Sequence, residues 1–153
     1  MSLLKNLFAN SGLINKGKLV HLKQTQPGND GLACIAMILN FHGIMINLNE
    51  LNNKYPDCVA GINLRQIIEI FHAEGLKTRP LQCPVSELPN LKLPAILHWD
   101  MKQFVILSNI ENQKITIFDP ASKKISLSEN EFEQHYAEIA LEVFTSPAIQ
   151  THK

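Results

Sequence analysis

Leu22–Gly43 reads LKQTQPGNDGLACIAMILNFHG, and its second half decides the fold. From Asp30 to Phe41 the residues are apolar on nearly every side, so the stretch predicts a central helix enclosed by protein rather than one lying on a surface. Gly43 suits its C-cap, because glycine enters the left-handed backbone region at little cost. Downstream, Asn47 offers a side-chain cap to a short helix over LNELNNKY, which stops at Pro56 because the residue before a proline avoids helical geometry. From Asn63 to Ala73, Leu64, Ile67, Ile68 and Phe71 recur at helical spacing, with Asn63 as cap and Gly75 as terminator.

Beyond Gly75 the texture changes. The runs LKTRPLQ, LPAILHW, QFVILSNI, KITIFD and AEIALEVF are short, β-branched or aromatic, and separated by Pro, Asn, Asp and Ser. Their links are too short for crossover helices, so an antiparallel sheet is expected. Helices first and strands afterwards predict an α+β domain whose sheet packs one face on the helices.

Outside this body, residues 1–18 read as an N-terminal extension, 19–145 as the domain, and 146–153 as a linker or tail. MSLLKNLFANSGLINKGK lacks the longer apolar region and cleavage site of a signal peptide. No stretch approaches the roughly 18 apolar residues of a spanning helix.

The chain has 153 residues, 45% hydrophobic and 18% charged, with 14 basic and 14 acidic residues. That composition suits one soluble domain, and without a basic stripe it gives no electrostatic reason to expect a nucleic-acid partner. Cys34, Cys58 and Cys83 have no short paired spacing, which argues against a disulfide framework or a zinc site and for a reducing compartment. His21, His42, His72 and His135 fit no metal-ligand spacing, and no metal or cofactor is expected in the domain.

Four segments in order carry a resemblance: LKQTQPGNDGLACIAMILNFHG, INLRQIIEIFHAEGL, LPAILHWDMKQFVIL and IFDPA. From about Leu19 to Phe144 the chain resembles the N-terminal domain of bacteriocin-exporting ABC transporters of the colicin V type. That domain is a papain-like cysteine peptidase, family thirty-nine, which removes a leader ending in two glycines before export. The resemblance implies a papain-like fold, and it places the family's nucleophilic cysteine at Asp30 and its general-base histidine at Gln103. The family's aspartate and oxyanion glutamine are retained as Asp119 and Gln24.

A cysteine at a helix N-terminus becomes a thiolate with help from the helix dipole and an imidazolium. Asp30 is a far poorer nucleophile toward an amide, and Gln103 has no proton to exchange near neutral pH. The expectation is therefore a degenerate peptidase that binds without cutting. Asp30 is expected to serve as an ionised helix cap accepting from first-turn amides, with a neutral amide nearby as a further donor. Gln24 and Asp119 persist either for ligand contact or because the fold uses their hydrogen bonds.

Cys34, one turn beyond Asp30, reads as core packing rather than as a substitute nucleophile. His98 reads as a structural histidine; an intervening turn leaves its geometry toward Gln103 open. Asp30 and Asp119 do not read as an acid-protease pair, which needs two carboxylates about 3 Å apart. A few apolar residues on the second and third helices would line a groove for an amphipathic peptide.

By resemblance the partners are a leader peptide or secreted cargo and the membrane and ATPase parts of a transporter. ATP is expected only in a separate domain, and the expected location is the cytoplasmic face of the bacterial inner membrane. The rival readings are an active peptidase that cleaves a double-glycine leader and a structural module without cargo contact.

Overall fold

The computed structural model describes residues 17–145. The N-terminal extension and the tail read from the sequence therefore lie almost wholly outside the described residues.

Helix α1 spans Asp30–Phe41, and every residue from Leu32 to Leu39 is fully buried. Burying one Leu, Ile or Met side chain contributes about 1.5–3 kcal/mol, so this helix alone supplies much of the core. Helices α2 (Leu48–Lys54) and α3 (Leu64–Ala73) each begin with a complete capping box, Asn47 with Glu50 and Asn63 with Gln66. Helix α2 ends with Tyr55 as its C-cap, and a 3-10 turn over Pro56–Cys58 follows directly.

Six strands follow: β1 (Leu76–Gln82), β2 (Ala95–Trp99), β3 (Gln103–Glu111), β4 (Lys114–Phe118), β5 (Lys124–Leu127) and β6 (Tyr136–Thr145). They form one sheet in the order β1-β6-β2-β3-β4-β5, and each neighbouring pair is antiparallel. The expected α+β class and antiparallel sheet are thus found. Strand β5 and helix α4 (Glu129–Glu133) were not anticipated. No helix among the described residues is long and apolar enough to cross a membrane.

The sheet differs from the expectation in being covered on both faces. Ile96, Phe104, Ile106, Phe118 and Leu141 pack with the helices in one core. Leu97, Val105, Leu107, Ile117 and Ala140 turn to a second core with Cys83, Leu88, Leu91 and Phe132. Phe104–Leu107 is continuously apolar for this reason, since alternate side chains enter different cores.

The stretch between β1 and β2, whose Cys83, Leu88 and Leu91 enter the second core, is tied down by Glu142 of β6, which is 2% exposed. Its carboxylate accepts from Arg79 Nε at 2.7 Å and from the Lys92 amide at 2.7 Å. Glu142→Ala is expected to lower stability by about 1–3 kcal/mol, chiefly by leaving the Lys92 amide without its acceptor. Thermal denaturation should show Glu142→Gln, which keeps an acceptor, losing less.

Candidate functional site

Asp30 is the first residue of α1 and only 8% exposed. Its Oδ2 accepts a hydrogen bond from the backbone amide of Phe104, the second residue of β3, at 2.7 Å. This partner was not expected. The carboxylate reaches from the helix onto the sheet besides meeting its own amide, the first of the helix, and Asn29, the N-cap residue, makes no side-chain cap bond. The donor is a main-chain amide rather than the carboxamide of Gln103. Residue 30 already carries helical backbone geometry, so its side chain points away from the following amides and toward whatever packs against the helix start.

Burial pushes the Asp30 carboxyl above its ordinary value of 3.8; the Phe104 amide and its own amide pull it down, and the charge of Asp119 adds a small upward push. The unfolded chain thus releases this proton first, so the Asp30 contribution to stability falls as pH rises from 3.8 through the raised folded value. Asp30→Asn is expected to raise Tm at pH 7, with the gain shrinking as pH falls toward the ordinary carboxylate range. Thermal scans of both proteins across pH 3–8 check the sign.

The turn before α1 is held by the buried Asn29, which sequence reasoning missed. Its Oδ1 accepts from the Thr25 amide and hydroxyl at 3.0 and 2.9 Å, and its Nδ2 donates to Asn52 Oδ1 at 3.0 Å. An asparagine just before an apolar helix was a legible signal, but for a helix cap, and here the amide serves the preceding turn and α2 instead.

Gln24 donates its main-chain amide to Pro120 O at 2.9 Å and its side-chain Nε2 to Gln26 O at 3.1 Å. Its Oε1 is buried without a hydrogen-bond partner among the described residues. Asp119 Oδ1 accepts from the Ala121 amide at 2.9 Å, inside the β4–β5 turn, and Asp119 O bonds His21 Nε2 at 2.7 Å. Asp119 therefore braces its own turn and the incoming segment. It is close enough to Asp30 to act through its charge, but the two carboxylates share no hydrogen bond.

Gln103 opens β3 directly opposite Trp99, with Asp100 and Met101 in the left-handed region between them. The intervening turn settles the position of His98: it lies opposite Phe104 in the ladder, and the two rings stack at 5.2 Å and 24°. His98 and Phe104 line a cavity of about 220 Å³ with Ile62, Leu64, Lys102 and Ile139. Ile62 in turn sits on the start of α1, where a Cβ at Gly31 would meet its Cγ2 at 2.1 Å.

Cys34 is fully buried, and burial first, then the charges of Asp30 and Asp119, pushes its thiol well above the ordinary value of 9.0. A thiol so placed is a poor source of thiolate. No cluster of three or more His, Cys, Asp or Glu side chains suited to a metal ion occurs among the described residues.

The start of α1 thus faces the first residues of the central strand β3, with the aspartate-bearing β4–β5 turn beside it. Solved structures agree on the fold. A double-glycine-motif protease of an AMS/PCAT transporter, in complex with its leader peptide, superposes with TM-score 0.79 over 86% of this chain and 94% of that one, at 21% identity. The peptidase domain of Streptococcus ComA gives TM-score 0.74, 82% and 98% coverage, and 18% identity.

The chain belongs to the peptidase C39 family, whose model matches residues 18–148. It is 37% identical over 123 residues to the probable microcin-H47 secretion/processing ATP-binding protein MchF of Escherichia coli, covering 80% of this chain and 18% of that protein. It is 35% identical over 130 residues to the colicin V secretion/processing ATP-binding protein CvaB of Escherichia coli, covering 85% and 19%. The chain thus spans about a fifth of the length of these relatives.

Proposed function

We propose that this domain binds a leader or secreted peptide for an ABC exporter at the cytoplasmic face of the inner membrane, and does not cleave it. The observation that carries the reading is the chemistry at the helix start: a buried carboxylate engaged by the Phe104 amide stands where the resemblance places a thiolate. Gln103, at the position of the base, can neither take a proton from a nucleophile nor give one to a leaving amine. Cys34 is enclosed on all sides and offers no replacement.

Binding is supported by what the substitutions leave in place. The fold is retained, and a mainly apolar cavity is lined by His98, Lys102 and Phe104, the residue whose amide Asp30 holds. The relatives are named for secretion and processing, and one structural neighbour was crystallised with its leader peptide. The membrane and ATPase parts of such an exporter are the expected neighbours of the domain.

Titration of the isotope-labelled domain with a double-glycine leader peptide and with the full precursor should move resonances of Ile62, Leu64, His98, Lys102 and Phe104, and leave the peptide intact by mass spectrometry. Cleavage that disappears in Cys34→Ser would establish the peptidase reading instead. An unperturbed spectrum with both ligands would leave a structural module.

A further inference from the structure

The start of α1 carries two walls of the cavity at once. Ile62 rests on Gly31, where no side chain larger than hydrogen fits without displacing it. Phe104, which lines the same cavity and whose ring stacks on His98, has its backbone amide held by Asp30 Oδ2 across 74 residues of sequence. The same layer is also tied to the sheet at the β4–β5 turn, through the Gln24 amide to Pro120 O and His21 to Asp119 O, and at β1, through His72 to Thr78, and none of these residues lines the cavity.

We infer that Asp30 is a positioning residue for the peptide cleft: its carboxylate oxygen seats the Phe104 backbone so that the Phe104–His98 stack stands as a fixed wall of the cavity that Ile62 also lines. The inference rests on the docking reading for what the wall contacts, but the seating itself is a property of the free domain. What the wall needs from residue 30 is an acceptor at the end of a short side chain, not a charge. Asparagine supplies one, alanine supplies none, and a cysteine thiol is only a weak acceptor. Replacing the family's nucleophile by aspartate thus exchanges a reactive group for a strut.

The distinction can be read in Asp30→Asn and Asp30→Ala by amide hydrogen exchange and by the ring resonances of His98. In the alanine variant the Phe104 amide should exchange at least about tenfold faster, beyond any global change, and the His98 signals should shift. The Gln24 amide, bonded to Pro120, should keep its protection, which a general loosening of the fold would not allow. Asp30→Asn should match the wild type in all three once its global change in stability is allowed for. Asp30→Cys gives the same comparison if the alanine variant does not fold.

An unchanged Phe104 amide in both Asp30→Ala and Asp30→Cys, or an asparagine variant that behaves like alanine, overturns the inference. Affinity for the leader peptide should fall about tenfold in the alanine variant and hold in the asparagine one, as expected for one lost hydrogen bond. If the wild type binds neither leader nor precursor, the docking reading fails, and the exchange measurement still decides whether Asp30 seats Phe104.

Discussion

Asp30→Cys combined with Gln103→His is expected to cut a double-glycine leader peptide at least about 100-fold faster than either single variant, a modest share of what a positioned acid–base group supplies. The first change puts a thiol at the N-terminus of a long, fully enclosed helix, where the unpaired first-turn amides favour the anion. The second puts an imidazole at the head of β3, beside the residue whose amide now meets Asp30. A thiol without a base would remain mostly protonated, and a base without a thiol would have nothing to activate, so each single variant should be silent. The same pair also removes the Asp30 strut, so the repaired enzyme should bind its leader more weakly than the parent domain does. Cleavage by Asp30→Cys alone would show that Gln103 is not what silences the site.

Gly28→Ala is the substitution expected to damage the domain most. Gly28 has φ +89°, and a Cβ there would lie 2.1 Å from the carbonyl oxygen of Ala60. A non-glycine residue held at such a φ costs about 1–3 kcal/mol, and forcing a backbone oxygen aside costs a similar amount again. We expect a loss of about 2–5 kcal/mol, and thus a fall in Tm of about 10 °C for a domain of this size. Gly61→Ala is the control on the same contact, since a Cβ at Gly61 meets nothing within 4 Å. The loss should extend to the cleft, because the approach of residue 28 to residue 60 sets Ile62 on Gly31. A Gly28→Ala variant with the parent's Tm would mean that the turn re-forms with a different geometry.

Much of the fold was legible because it is written in local patterns. Apolar residues all around Asp30–Phe41 can only be enclosed, and Asn63 with the helical spacing of Leu64, Ile67, Ile68 and Phe71 gives a capped amphipathic helix, of which the structure buries Ile67, Ile70 and Phe71. The short runs after Gly75 became strands close to where they were expected. Strand β5 escaped because KISL is four residues long and carries only a weak alternation. Helix α4 escaped although Ser128 and Glu131 form a capping box; with Phe132 as its one buried residue it has no periodicity to reinforce the cap.

For the site, the resemblance assigns positions and no interactions. It puts the nucleophile and base at Asp30 and Gln103 and the retained pair at Asp119 and Gln24, and on that assignment a carboxylate and a carboxamide would stand in for a thiolate and an imidazole. The partner of Asp30 was not legible. Sequence favours a local bond at a helix start, because aspartate there commonly caps the first turn. The fold instead brings the first amides of β3 against that helix, and a buried carboxylate takes the donor nearest to its outward-facing oxygen.

By itself, then, the sequence determined the enclosed helix, the order of helices and strands, and the family to which they belong. These follow from short-range patterning and residue chemistry, which act within a few neighbours along the chain. Only the tertiary structure decided that the sheet has a second core, that Asn29 secures the turn before α1, that His98 stacks on Phe104, and that Asp30 reaches across 74 residues to hold that strand. Those contacts depend on which faces meet when the layers pack, and the free energy that selects them is shared by the whole core.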